Sequence, residues 1–296
     1  MIASVQNMTD TAASAPKTVL ITGTSSGVGR AAAVAAAQAG FTTIATVRDL
    51  ERTEQLREAA KDAGVELEIR RLDVTEPDTI EQTISGVLDT YGKLDAVVNN
   101  AGVGSIGTLE LLPLEQIRYS MEVNFFGVLA VSKAALPHLR ASGGRLITVG
   151  SAYGSVGQPF NEAYCAAKAA TEIYMEGLAA VAAEVGVRVS VIQPGPIASS
   201  FGENMPVDRV ALRAAAEAGQ YKSAYANYLT YLPTMVASAI QSSEQVAESV
   251  LHTLTDPAPA FRIQTSDFAK GFVADKLADV DGSAIQAITR EWLRAG

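Results

Sequence analysis

Residues 17–40 read Lys17-Thr-Val-Leu-Ile-Thr22-Gly23-Thr-Ser-Ser-Gly27-Val-Gly29-Arg30-Ala-Ala-Ala-Val-Ala-Ala-Ala-Gln-Ala-Gly40. A short apolar run stops at Gly23, three glycines punctuate the next residues, and an Ala-rich helical stretch runs on to Gly40. Strand, glycine turn and helix in that order aim free backbone N–H groups and the positive end of the helix dipole at whatever lies over the turn. The natural guest is a pyrophosphate, held around Gly23, Ser25, Ser26, Gly27, Val28 and Gly29. The spacing is Gly-x3-Gly-x-Gly rather than Gly-x-Gly-x2-Gly, an altered form of the usual dinucleotide fingerprint.

The next strand, residues 42–47, ends at Val47 and is followed by Arg48-Asp49. In a dinucleotide fold this strand end, about 20 positions past the turn, meets the adenosine ribose. A carboxylate there accepts from the 2′-hydroxyl and repels a 2′-phosphate, whereas an arginine does the opposite. Arg48 therefore favours NADP(H), with NAD still open because Asp49 could reach the ribose. Against this, Arg48 could merely salt-bridge to Asp49 or Glu51.

A helix over 51–62 and a strand over 65–72 lead to Asp73-Val74, where the acid suits the adenine amino group. A fourth strand, 94–98, runs into Asn99-Asn100-Ala101-Gly102, turn residues at the sheet edge where ligands lie in open parallel sheets. Residues 114–139 carry helical spacing and include Asn124, which is costly in mid-helix unless hydrogen-bonded. It is either a core polar group or part of a site.

Residues 145–149 form another buried strand, ending just before Ser151. Helical composition from Glu162 onward puts Tyr164 and Lys168 four apart on one face. An adjacent ammonium favours the phenolate, and a phenol with a pKa of about 10 must move by roughly three units to exchange protons near neutrality. Tyr and Lys at this spacing are also a common surface pair, so the spacing alone does not decide for chemistry. A sixth strand, 187–193, is followed by Pro194-Gly195-Pro196-Ile197-Ala198-Ser199, a stiff loop whose backbone suits an amide-bearing ring. Residues 200–243 read as a helical, amphipathic substrate segment with Tyr221, Tyr225, Tyr228 and Tyr231, followed by a helix over 243–254. A last strand (260–264) and a helical tail (267–293) complete the chain.

With 296 residues, 48% hydrophobic and 19% charged, the chain can bury a full core, and residues 17–296 read as a single α/β domain behind a disordered leader, 1–16. A net charge of −9 argues against nucleic acid as a partner. The one cysteine, Cys165, excludes an intrachain disulfide and suits a reducing, cytoplasmic location. His138 and His252 have no partners at ligand spacing, so no metal site is expected. No apolar run is long enough to span a bilayer.

Thr22-Gly23-x3-Gly27-x-Gly29, Asn99-Asn100-Ala101-Gly102, Asn124, Ser151 thirteen residues before Tyr164, Tyr164-x3-Lys168 and Pro194-Gly195 stand in one order on alternating elements. Over residues 17–265 the chain resembles the short-chain dehydrogenase/reductase family. The resemblance implies a Rossmann-type, doubly wound, seven-stranded parallel sheet with helices on both faces. It also implies hydride transfer between a nicotinamide cofactor and an alcohol or ketone. It would make Tyr164 the general acid/base and Ser151 the partner of the substrate oxygen. Lys168 would bond the nicotinamide ribose and lower the tyrosine pKa together with the oxidised ring. Asn124 would hold the water of a proton relay, and Ile197 and Ser199 would hold the carboxamide. Asn100, Ala101, Gly102, Pro194 and Gly195 would line the cofactor. Val28 replaces the family's common Ile, and Ser26 stands where NADP-dependent members often carry a basic residue, so Arg48 alone supports the phosphate.

Residues 45–49, Phe261-Arg262 and the tail look like the 17β-hydroxysteroid and retinol dehydrogenase branch, which implies a bulky lipophilic substrate. Two other functions compete: a non-catalytic NADP(H)-sensing protein, and a reductase of a small or acyl-linked ketone. Ala-rich helices from Leu114 and Glu162, apolar on more than one face, suggest a homodimer or homotetramer.

Overall fold

Strands β1 (Thr18–Ile21), β2 (Thr42–Val47), β3 (Glu68–Arg71), β4 (Ala96–Asn99), β5 (Arg145–Val149), β6 (Arg188–Gln193) and β7 (Arg262–Gln264) lie parallel in one sheet, in the order β3-β2-β1-β4-β5-β6-β7. The structure is a computed structural model that describes residues 15–198, 216–217 and 219–294. The leader expected over 1–16 falls almost wholly outside these residues. So do Ser199 and 200–215.

The inner strands are near-continuous apolar runs because both faces of a parallel sheet are covered. Alternate residues serve opposite layers. Leu20, Ile44, Val97, Leu146 and Val191 pack with Ile84, Val131, Leu139 and Met175, from α3 (Pro77–Tyr91), α5 (Gly127–Ser142) and α6 (Glu162–Ala183). Val19, Ile21, Ala45, Val98 and Ile147 face Ala32, Ala36, Val246 and Val250, from α1 (Gly27–Gln38) and α8 (Ser243–Thr255). A third cluster sits beyond the sheet and joins Val156, Phe160, Tyr225, Tyr228, Phe272 and Trp292. It gathers α7 (Lys222–Val236), α9 (Asp267–Ala278) and α10 (Ser283–Glu291) over the residues that follow β5.

Several boundaries differ from the sequence-based expectation. The helix expected over 51–62 is a 3-10 turn, Leu50–Arg52, followed by α2 (Glu54–Asp62), because the Asp49 carboxylate accepts from Glu51 N at 2.9 Å and caps the turn. The helix expected over 114–139 is α4 (Leu114–Met121), a π-helical turn at Glu122–Phe126 and α5. The π turn spans only five residues, too short a stretch for its wider i→i+5 pattern to show in periodicity. The tail is two helices, parted where the Asp279 carboxylate accepts from Ile285 N at 2.9 Å and Gly282 takes φ +81°. Among the described residues no helix is long and apolar enough to cross a membrane.

Candidate active site

The strand order turns back between β1 and β4, and the crevice this opens at the carboxyl ends of the strands is where open α/β sheets bind ligands. Two motifs far apart in sequence build its floor as one unit. Asn100 Nδ2 donates to the carbonyls of Thr22 and Gly23, each at 2.9 Å, while Thr22 Oγ1 accepts from Asn100 N at 2.9 Å and Ala101 N at 3.0 Å. A Cβ on Gly29 would lie 2.3 Å from both Gly23 O and Asn100 Nδ2, and Gly23 has φ +69° with its own Cβ position 2.7 Å from Ala101 Cα. Glycine is demanded here by backbone packed on backbone. The N-terminus of α1 opens directly above.

A cavity of about 490 Å³ runs along this edge. One end is walled by Arg48, Arg52, Asp73 and Val74, the middle by Gly23, Ser25, Ser26, Gly27, Val28, Gly29, Asn100, Ala101 and Gly102. The far end is walled by Ser151, Tyr153, Asn161, Tyr164, Lys168, Pro194, Gly195 and Ile197. Arg48 makes no salt bridge to Asp49 or Glu51. Its Nη1 donates to the Tyr119 hydroxyl at 3.4 Å, and Asp49 is occupied in capping the following turn. Asp73 Oδ1 accepts from Thr75 N at 2.9 Å and Thr75 Oγ1 at 2.7 Å, so one oxygen of this carboxylate is engaged at home.

At the far end three elements converge. Ser151 follows β5 in extended conformation, and its Oγ accepts from Tyr153 N at 3.1 Å. A hydrogen bond joins the Ser151 side chain to the Tyr164 phenol. The Lys168 ammonium lies 5.8 Å from the centre of the Tyr164 ring and donates to Val149 O at 2.9 Å. Ala152 N donates to Pro194 O at 2.9 Å, which ties the loop after β6 to the Ser151 turn.

Burial dominates the electrostatics of the protein groups. It raises the Tyr164 pKa, and the Ser151 hydrogen bond opposes this only in part. The same burial lowers the Lys168 ammonium to about 8. Desolvation penalises both charged forms and outweighs their attraction at this separation. Burial also pushes the neighbouring Cys165 thiol up to about 11, which keeps it protonated.

Asn124 lies behind the cavity wall. Its Nδ2 donates to Val103 O at 2.9 Å and Ser120 O at 3.0 Å, its Oδ1 accepts from Val103 N at 3.2 Å, and its own carbonyl accepts from Thr171 Oγ1 at 2.7 Å. The side chain is thus spent on structure. What the π-helical turn leaves toward α6 is backbone carbonyl. Ser199 lies outside the described residues.

Sequence reasoning missed Arg52, Tyr119, Tyr153 and Asn161 on the cavity wall. Arg52 could have been found as a second cation four residues after Arg48. The others reach the cavity only through tertiary packing. Among the described residues no cluster of His, Cys, Asp and Glu could hold a metal ion.

The family model for short chain dehydrogenases matches residues 17–209. The chain is 32% identical to human (Homo sapiens) retinol dehydrogenase 8, over 95% of this chain and 91% of that one. It is 34% identical to human (Homo sapiens) 17-beta-hydroxysteroid dehydrogenase type 1, over 92% and 85% of the two chains. Among solved structures, an alcohol dehydrogenase from the archaeon Thermococcus sibiricus, complexed with 5-hydroxy-NADP, superposes with a TM-score of 0.67 at 27% identity, covering 84% of this chain and 95% of that one. Sheet order, the altered glycine turn and the Ser151, Tyr164 and Lys168 constellation agree with these matches: the chain belongs to the short-chain dehydrogenase/reductase family of NAD(P)-dependent oxidoreductases.

Proposed function

We propose that this oxidoreductase moves hydride between NADP(H) and a secondary alcohol or ketone with a bulky lipophilic body. The observation that carries the reading is one continuous cavity that joins an anion-binding glycine turn to a buried, hydrogen-bonded Ser151–Tyr164 pair beside Lys168. The cradle fits a dinucleotide: Gly23 and Gly29 let the turn fold down onto Ala101, Asn100 and its own backbone where any Cβ would intrude, and α1 points its positive end at the cavity above. When bound, the nicotinamide supplies or accepts the hydride.

The chain's own residues manage the proton. Ser151 would hold the substrate oxygen, and Tyr164 would give it a proton during reduction or take one during oxidation. Burial keeps the phenol protonated, which is the form that serves a carbonyl. Lys168, as a cation, would favour the phenolate left behind and hold the ribose. Asn124 would help the proton relay through its carbonyl, with its side chain fixing the turn. Gly23, Ser25, Ser26, Gly27, Val28 and Gly29 would cradle the pyrophosphate, with Asn100, Ala101 and Gly102 beside them, Asp73 and Val74 at the adenine, and Pro194, Gly195 and Ile197 at the carboxamide.

Support for NADP(H) comes from Arg48 and Arg52, two guanidiniums at one end of the cavity without carboxylate partners among the described residues. The Thermococcus sibiricus enzyme is complexed with an NADP derivative. Arg48→Ala with Arg52→Ala should abolish the preference for NADPH over NADH in binding titrations, and an unchanged ratio would overturn the assignment. The names of the two human relatives, which act on a retinol and a hydroxysteroid, support a large apolar substrate, as does the buried aromatic cluster of Phe160, Tyr225, Tyr228 and Phe272 that lies behind Tyr153 of the cavity wall. A carbonyl panel at fixed NADPH tests this directly. Turnover confined to small or acyl-linked ketones would refute the lipophilic assignment, and tight NADPH binding without any turnover would favour a sensor.

Exposed Phe126 on the π turn and Ile173, Tyr174 and Val181 on α6 favour a homodimer or homotetramer. Light scattering on the purified chain decides it.

A further inference from the structure

Tyr164, Lys168 and Glu172 recur at every fourth position of α6, and all three are buried, at 9%, 4% and 5% exposure. The first two belong to the proton chemistry. The third is a carboxylate with no part in it, and a buried carboxylate is costly unless paired and hydrogen-bonded.

Glu172 is engaged on both oxygens. Oε1 accepts from Arg262 Nε at 2.7 Å and Oε2 from Gln193 Nε2 at 2.7 Å. The partners come from different elements. Arg262 opens β7 and also donates to Glu176 at 2.7 Å, while Gln193 closes β6, one residue before Pro194, and accepts from Gln264 at 2.5 Å. Gln193 Nε2 donates in addition to Ser155 Oγ at 3.1 Å, four residues past Ser151. A Cβ on Gly154 would sit 3.3 Å from Glu172 Oε2 and 3.2 Å from the Lys168 carbonyl, so the Ser151 turn presses on α6 at this carboxylate.

We propose that Glu172 is a positioning residue: its buried carboxylate, with Arg262 as counter-ion and Gln193 as bridge, locks the Ser151 turn, the end of β6 and the Tyr164 helix into one register. The proposal rests on the oxidoreductase reading above. Ser151 and Tyr164 ride on separate elements but must meet one substrate oxygen, and misplacement by about 1 Å can cost on the order of a hundredfold in rate. A network satisfied at every member is what holds such elements rigidly.

The test compares Glu172→Gln, Arg262→Gln and Glu176→Gln with wild type. For Glu172→Gln, kcat for carbonyl reduction per cofactor-binding site should fall about tenfold or more, with KM and NADPH affinity nearly unchanged. Amide exchange in residues 150–156 should accelerate. Arg262→Gln should show the same split and serves if Glu172→Gln does not fold. Glu176→Gln, which removes only the outer, half-exposed contact, should resemble wild type. If wild type turns over NADPH and the first two variants keep full kcat and slow exchange, the clamp is refuted and the oxidoreductase reading stands. Lower thermal stability with kcat per site unchanged also overturns the proposal. If wild type turns over no carbonyl, the oxidoreductase reading fails, and the exchange measurement alone decides whether the clamp exists.

Discussion

The glycine-lined middle of the cavity and its far end, at Ser151, are built by different means. At the glycine turn the walls are backbone: Gly29 lies so close to Gly23 O and Asn100 that a single added carbon would overlap them, and the hydrogen bonds that set the floor run through main-chain atoms and Asn100. Around Ser151 the walls are side chains, Tyr153, Asn161, Tyr164 and Lys168, with Tyr153 backed edge-on by Phe272 at 5.8 Å and Phe272 in turn stacked on Trp292 at 6.1 Å. Backbone walls accept one ligand shape. Side-chain walls can be recut by substitution while the sheet stays as it is, so cofactor and substrate specificity are separable in this molecule.

The sharpest break should come where the two regions meet. Tyr164→Phe removes the proposed proton donor together with its hydrogen bond to Ser151, and turnover should fall by about 10³-fold while NADPH affinity, measured by fluorescence titration, stays as in wild type. An active Phe variant would remove tyrosine from the chemistry. On the side-chain end, Trp292 is almost completely buried, and Trp292→Ala should cost about 3–5 kcal/mol in denaturant unfolding. It should also raise KM for bulky ketones with NADPH affinity preserved. On the backbone end, Gly29→Ala should do the converse, destabilising by about 1–3 kcal/mol and weakening cofactor binding. Gly157→Ala, with nothing within 4 Å of its Cβ, should leave both unchanged.

The smallest effect concerns pH. Lys168 is a cation below about 8 and neutral above it, so its support for the departing proton of Tyr164 is present at lower pH and lost as pH rises through that value. Reduction rates should fall on that alkaline limb. Lys168→Arg, which stays charged, should lack the limb whatever its absolute rate. For stability the sign is opposite. Between about 8 and the lysine's ordinary 10.5 the unfolded chain binds the proton more tightly, so this group's contribution to stability rises with pH across that window.

Much of this was legible before folding. The strand, glycine turn and helix of residues 17–40 carry their own geometry, because the motif's function is a local backbone shape. Tyr164 and Lys168 share a face for the same local reason, four residues on a helix. Other features were not legible because they depend on which distant elements meet. The π-helical turn around Asn124 is too short to register in periodicity, and the consumption of its side chain by Val103 and Ser120 requires two segments to pack.

By itself, then, the amino-acid order determined a parallel α/β sheet, the glycine turn between β1 and α1 and the spacing of Tyr164 and Lys168, all consequences of short-range backbone geometry. Only the tertiary structure decided that burial would dominate the Tyr164 and Lys168 pKa values, and that Arg262, ninety residues away, would neutralise Glu172. It also brought α9 and α10 to pack against the residues that follow Ser151. Desolvation and long-range packing depend on everything that surrounds a group, and neither is written in the residues next to it.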